Sequence, residues 1–257
     1  MMHAVVLFTE ILDWEVQARR FRIDHRTQSP AAGLAPKLLW PFEQNALELT
    51  LQLRDAGVVG RITALSVGDS VAWLRRALAL RVDDAVQVLG ESVDPSETAA
   101  LIVAAIRKIG SPDLVLAGQQ ASDWDNGQVG YIVAERLGLP VASLVFRAVQ
   151  DGERLRVLRI APGGVERLGV RPPAVLTVTS DAALKLRMGS VTDRLAANKK
   201  PIERWEFPID QSASRQTLVR AWAAPEPEQR CEMLEGNDAG EVAAELLRRL
   251  GEMTVLP

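Results

Sequence analysis

Apolar residues along the chain fall into two alternating periods. Short runs, HAVVLF (3–8), RITALSVG (61–68), AVQVLG (85–90) and PDLVLAG (112–118), read as buried strands. Between them lie segments of helical pattern. PFEQNALELTLQLRDAG carries Ala46, Leu47, Leu49, Leu51 and Leu53, with Gly57 as a stop, and VAWLRRALAL (71–80) is a compact helix. DPSETAALIVAAIRKIG (94–110) has Asp94 as N-cap, Pro95 in the first turn and Gly110 after the last, and NGQVGYIVAERLG (126–138) follows the fourth strand. Strands alternating with helices predict a parallel sheet covered on both faces.

After Leu139 the pattern changes. LPVASLVFRAV, ERLRVLRIA and RPPAVLTVT are strand-like and joined by DGE and PGG, which are hairpin signals, so an antiparallel ribbon attached to the sheet is expected. From Ser180 the segment LKLRMGSVTDRLAANKKPIERWEFPID is basic and less periodic. The last fifty residues are polar and proline-punctuated. They close on EVAAELLRRLGEM, where Val242, Leu246, Leu247 and Leu250 form one stripe that fits a partner subunit better than a fold of its own. The expected class is a Rossmann-like α/β domain over 1–180, a basic segment over 181–207 and a C-terminal arm over 208–257.

Composition narrows the function. A chain of 257 residues has ample core, and a net charge of −3 gives no basic footprint for nucleic acid. A single cysteine, Cys231, excludes an internal disulfide. Two histidines, His3 and His25, leave little for a zinc site or a histidine-based triad. MMHAVVLFTEILDWE has no basic start and too short an apolar run for a signal peptide, and no stretch approaches a membrane span, so a cytoplasmic protein is expected.

In open parallel sheets, ligands sit outside the carboxyl ends of the strands, here the loops starting near Leu7, Val67 and Gly118. The third loop is unusual: AGQQASDWDNGQVGYIVAERLG places Gln119, Gln120, Ser122, Asp123, Asp125, Asn126 and Gln128 among Gly127 and Gly130. A strand-to-helix loop of this kind can set backbone N–H groups against a phosphate. In the plainer alternative, Asp125 or Asn126 caps the helix. Neither the dinucleotide fingerprint nor a Walker-type lysine is present, so hydrolysis of the bound group is not expected. Asp123 and Asp125 lack further hard ligands for a metal. No nucleophile–base pair stands out, and the pattern fits a carrier better than a catalyst.

The succession PFEQNALELTLQL, ITALSVG, QQASDWDNGQVG, RPPAVLTVT and RLAANKKPIERW, over about residues 3–207, resembles the beta subunit of electron transfer flavoproteins. The resemblance implies a heterodimer with an alpha subunit that holds most of the FAD, with AMP often bound by beta. Electrons then pass from flavin dehydrogenases to a downstream acceptor such as a quinone oxidoreductase. By motif, the family's nucleotide contacts fall on Leu7, Trp40, Val67 and Asp123, Trp124, Asp125, Asn126, Gly127, Gln128 and Val129. Its beta-side contacts to the flavin ring fall on Trp14 and Phe42. Its dehydrogenase-recognition loop covers Gly189, Ser190, Val191, Thr192, Asp193, Arg194 and Leu195, extending to Ala197, with Val191 as apolar anchor. Glu166 matches an acidic position that holds the mobile flavin domain of alpha through an arginine; a plain surface charge is the other reading.

Three departures stand out. Trp40 replaces the usual asparagine before Pro-Phe, TEILDWE replaces a KQVPD-like start, and Trp124 interrupts the phosphate loop. Two indoles could stack on adenine or fill its place. Without the early motif, a second FAD and electron bifurcation are not expected. Trp14 lies in the charged run DWEVQARRFRID, an odd setting for a core residue, which fits cover by another chain. Arg187, Arg194, Lys199 and Lys200 would either steer an acidic partner or form a solvated face. The reading from a different class is a nucleotide-sensing module of the universal-stress type, without flavin.

Overall fold

Seven strands share one direction. The computed structural model describes residues 1–12, 22–24, 26, 29–30, 37–90, 94–120, 125–208 and 232–252. Its strands are β1 (Met2–Phe8), β2 (Glu10–Leu12), β3 (Ile23–Asp24), β4 (Ser29–Pro30), β5 (Lys37–Leu39), β6 (Val59–Val67), β7 (Asp84–Val88), β8 (Leu114–Gly118), β9 (Val141–Asp151), β10 (Arg154–Ala161), β11 (Gly164–Val170), β12 (Ala174–Val178) and β13 (Glu203–Trp205). The helices are α1 (Pro41–Asp55), α2 (Ala72–Ala79), α3 (Pro95–Ile109), α4 (Val129–Leu137), α5 (Val191–Ala197) and α6 (Ala239–Glu252). The main sheet has the order β11-β10-β9-β12-β8-β1-β6-β7-β13. Every neighbouring pair from β9 to β13 is parallel; β10 and β11 extend the sheet antiparallel.

Both faces are covered, as the alternation predicts. One core gathers Val6 and Phe8 of β1 with Leu47 and Leu49 of α1 and Leu74 and Leu78 of α2. The other gathers Val5, Leu7 and Val115 with Ile102 and Ile106 of α3 and Val133 of α4. Helix ends follow the sequence signals. The Asp94 carboxylate accepts from the amides of Ser96 at 2.8 Å and Glu97 at 3.3 Å, and Pro95 starts α3. Gly57, with φ +74, donates its amide to Arg54 O at 2.8 Å and closes α1.

One expectation changes. RPPAVLTVT joins no hairpin: β12 sits inside the parallel sheet, between β9 and β8, with all five residues buried. Its neighbour β9 is parallel to β12 through Val145 and antiparallel to β10 beyond it, and Leu144 takes φ +58 where the register slips. The basic segment after Ser180 is ordered: it supplies a 3₁₀ turn at Ala182–Leu184, helix α5 and edge strand β13.

Candidate functional site

The order β12-β8-β1-β6 puts the switch point between β1 and β8. From β1 the chain steps outward to β6 and β7, then returns to β8 on the other side of β1. The carboxyl ends of β1, β6 and β8 therefore lie side by side, with Phe8 opposite Ser66 and Val6 opposite Leu116. Such a crevice is where an open α/β sheet binds ligands.

Two helices begin at this rim. A Cβ on Gly118 would lie 3.0 Å from the backbone N of Glu43, so glycine lets the first turn of α1 rest closely on the end of β8. Trp40 is the N-cap of α1 and Phe42 lies in its first turn, both half-buried. Asn45 Nδ2 donates to Thr179 O at 3.2 Å, tying α1 to the end of β12.

Helix α4 starts from the glutamine-rich loop. Its N-cap is Gln128, with no side-chain hydrogen bond to the first amides, so the expectation that Asp125 or Asn126 caps it is replaced. The Asp125 carboxylate instead accepts from Gln120 Nε2, and Gln119 Nε2 donates to Gln120 Oε1 at 3.1 Å. Asp125 at φ +52 and Gly127 at φ +59 are both left-handed, which turns the chain into the helix, whose N-cap Gln128 makes no side-chain hydrogen bond to the leading amides. Asp125, Asn126 and Gln128 are exposed, Gly127 and Val129 half-buried.

The remaining sequence-derived positions divide. Val67 ends β6 at the rim, half-buried. The Leu7 side chain is buried in the α3/α4 core, which leaves it only main-chain atoms to offer a ligand. Trp14, Asp123 and Trp124 lie outside the described residues. Glu166 on β11 is exposed and held by Arg159, Nε to Oε2 at 2.8 Å. The expected recognition loop is largely a helix: Ser190 caps α5, its Oγ accepting from the Asp193 amide at 3.1 Å. Gly189 precedes that cap, Thr192 and Arg194 are exposed, and Val191 and Leu195 are 65% and 62% exposed one turn apart.

Sequence reasoning missed the groups that hold the chain on either side of that helix. Arg187 Nη2 donates to Glu48 Oε1 at 2.8 Å, its Nη1 to Asp55 at 2.7 Å and its backbone N to Glu48 Oε2 at 3.2 Å. These carboxylates hold the Arg187 guanidinium well above its ordinary pKa. Lys200 Nζ donates to Val82 O at 3.2 Å. Two of the four cations expected to steer a partner thus serve the fold, and Arg194 and Lys199 stay exposed. The one signal was Glu48 itself, a charged position within the apolar run of α1.

A family model described as the electron transfer flavoprotein domain matches residues 35–210. The electron transfer flavoprotein subunit beta of Thermoanaerobacterium thermosaccharolyticum is 30% identical over 268 residues, covering 99% of this chain and 100% of that one. This chain belongs to the beta-subunit family of electron transfer flavoproteins. Protein FixA of Azorhizobium caulinodans is 32% identical over 216 residues, 79% of this chain and 75% of FixA. The caffeyl-CoA reductase-Etf complex subunit CarD of Acetobacterium woodii is 29% identical over 248 residues, 91% and 94% of the two chains. The role is that of an electron-transfer beta subunit working in a complex with partner subunits, and the family implies flavin in that complex. The universal-stress alternative is set aside by this match. Among the described residues, no helix is long and apolar enough to cross a membrane.

Proposed function

We propose that this beta subunit pairs with an electron transfer flavoprotein alpha subunit that holds most of the FAD, and that it shapes both the flavin environment and the docking of flavin dehydrogenases. The observation that carries the reading is the rim at the β1/β8 switch point, where α1 begins with Trp40 and Phe42 and α4 begins at Gln128, whose own side chain leaves the first amides to other partners. The fit to an anionic cofactor is chemical. A helix start with free N–H groups and partial positive charge accepts a phosphate, and Asp125, Asn126 and Gln128 are polar enough to orient one.

Within this reading the loop from Asp123 to Val129, with Trp40, Val67 and the main chain at Leu7, holds AMP. Trp14 and Phe42 lie beside the flavin ring and exclude water from it. The flavin supplies the redox chemistry when bound; the chain supplies position and electrostatics. The exposed pair Val191 and Leu195 on α5 receives the dehydrogenase, with Arg194 and Lys199 nearby to favour an acidic surface. Glu166 meets an arginine of the alpha subunit, in competition with Arg159 of its own chain. Electrons leave to an acceptor such as a quinone oxidoreductase, in the cytoplasm. Helix α6, whose stripe leaves Leu246 and Leu247 45% and 60% exposed, packs on the partner subunit.

The test is to co-express the chain with an alpha subunit, record the flavin spectrum, then denature the purified complex and separate what is released. FAD with AMP is the expected result. FAD alone would make Trp40 and Trp124 the occupants of the AMP pocket, and a colourless, non-associating mixture would refute the proposal.

A further inference from the structure

Helix α5 has seven residues, too few to be stable in isolation; it buries only Ala197, and its larger apolar residues Val191 and Leu195 point away from the fold. Something other than its own propensity must hold it. The segment before it is fixed to α1: Arg187 engages the buried Glu48 through its guanidinium and its backbone N, and Asp55 through Nη1. Gln52 Nε2 donates to Ala183 O at 3.1 Å, and Leu184 is fully buried. At Gly189 the backbone runs so close to α2 that a Cβ would lie 2.6 Å from Ala79 O.

The far end is fixed to α2. Arg75 Nη1 donates to Ala197 O at 2.9 Å, satisfying the last carbonyl of α5, and also to Lys200 O three residues beyond. Arg81 Nε pairs with Asp193 at 3.2 Å on the flank. The chain on both sides of this helix of about two turns is thus clamped by arginines whose partners lie far away in sequence.

We propose that Arg187 and Arg75 are positioning residues for electron-transfer docking, holding α5 as a preformed helix with Val191 and Leu195 outward. The proposal rests on the docking reading above and adds its physical requirement. A patch of two aliphatic side chains gains too little on contact to order a loose segment as well, so the ordering has to be complete beforehand. Helix α1 extends the consequence. It carries Phe42 at the cofactor rim and Glu48 under the docking segment, so the clamp also fixes where a partner sits relative to the rim.

The experiment uses the complex co-expressed with its alpha subunit, in R187Q, R75Q, R187K and V191A/L195A forms. Three quantities are compared: amide exchange of residues 188–199 by mass spectrometry, steady-state reduction by a purified flavin dehydrogenase that reduces the parent complex, and reduction by dithionite, which needs no docking. In R187Q and R75Q, exchange across 191–197 should accelerate about tenfold. KM for the dehydrogenase should rise about tenfold with kcat within about twofold, and flavin content and dithionite reduction should not change. R187K, which keeps the charge but loses the fork, should fall between. V191A/L195A should raise KM with parental exchange. Unchanged KM in that double variant overturns the docking reading and the functional half of this proposal. Unchanged KM or exchange in R187Q and R75Q, beside a raised KM in the double variant, overturns the positioning role alone. Loss of flavin in both arginine variants would also overturn it, by making them general supports of the fold.

Discussion

The docking helix offers the sharpest quantitative test. Val191 and Leu195 are 65% and 62% exposed and lie one turn apart, on the same face of α5. Full burial of such a side chain gains roughly 1.5–3 kcal/mol, so covering the exposed share of each gives about 1 kcal/mol. Truncating both to alanine should therefore weaken docking by about 2 kcal/mol, or roughly thirtyfold in the docking constant. Because neither residue contributes much to the core, the folding stability of the double variant should stay within about 0.5 kcal/mol of the parent. The assay is stopped-flow reduction of the flavin complex over a range of dehydrogenase concentrations, with thermal unfolding run beside it. A loss confined to the second-order rate constant, at unchanged melting temperature and saturating rate, is the expected result. Parental kinetics in V191A/L195A would refute the reasoning, because the exposed pair would then meet nothing during transfer. Each single variant should lose about fivefold, and a loss concentrated wholly in one would identify a single anchor.

Three further outcomes follow from the geometry. Asp94→Ala removes a cap that accepts two amides of α3 and should cost about 1 kcal/mol, lowering the melting temperature by roughly 2–4 °C in a scanning calorimeter. His3, at 2.9 Å from Thr63 Oγ1, has its pKa pushed below the ordinary 6.5 by burial and then by Arg61. The unfolded chain then binds the proton more readily, so stability should fall as pH drops below about 6.5 down to the folded pKa, and His3→Gln should flatten that part of the urea-midpoint profile. Gln120→Ala frees Asp125 from its amide partner and should loosen the left-handed turn into α4; the AMP released per complex on denaturation should fall while FAD stays at parental level.

Local signals carried the centre of the fold. The strands β1, β6, β7 and β8 and the helices α1 to α4 arise from apolar periodicity within single windows, with caps and stops such as Asp94 and Gly57 marking their ends. The placement of β12 was not legible in the same way. Its sequence is a fully buried strand in either arrangement, and hairpin signals on both sides of β10 suggested that the run continued. The sheet order instead depends on β9 changing partners at Leu144, a register slip with no local marker. Edge strand β13 was hidden for a different reason. Only Trp205 of its three residues turns toward the molecule, so no alternating pattern forms.

The candidate site divides along the same line. The loop from Gln119 to Gln128 stood out because its polar and glycine content exceeds what a connector needs, and that excess is local. The clamp on α5 was illegible because each half looks ordinary alone: Glu48 reads as one charge in a helix, and Arg187 as one cation in a basic run. Their meaning lies in a contact across 139 positions, which no periodicity encodes. The contact also changes the account of charge in that run. A basic stretch invites the reading that every cation faces a partner, yet Arg187 and Lys200 donate inward to the chain's own oxygens. Of the four cations expected to steer a partner, Arg194 and Lys199 stay exposed, close to the two aliphatic residues, while Lys185 and Arg204 are exposed toward the ends of the segment. Anchoring and part of the steering therefore fall on one short helix, with Lys199 just past its end. Its orientation depends on buried carboxylate chemistry in α1, which links the rim that would hold a cofactor to the surface that would receive its electrons.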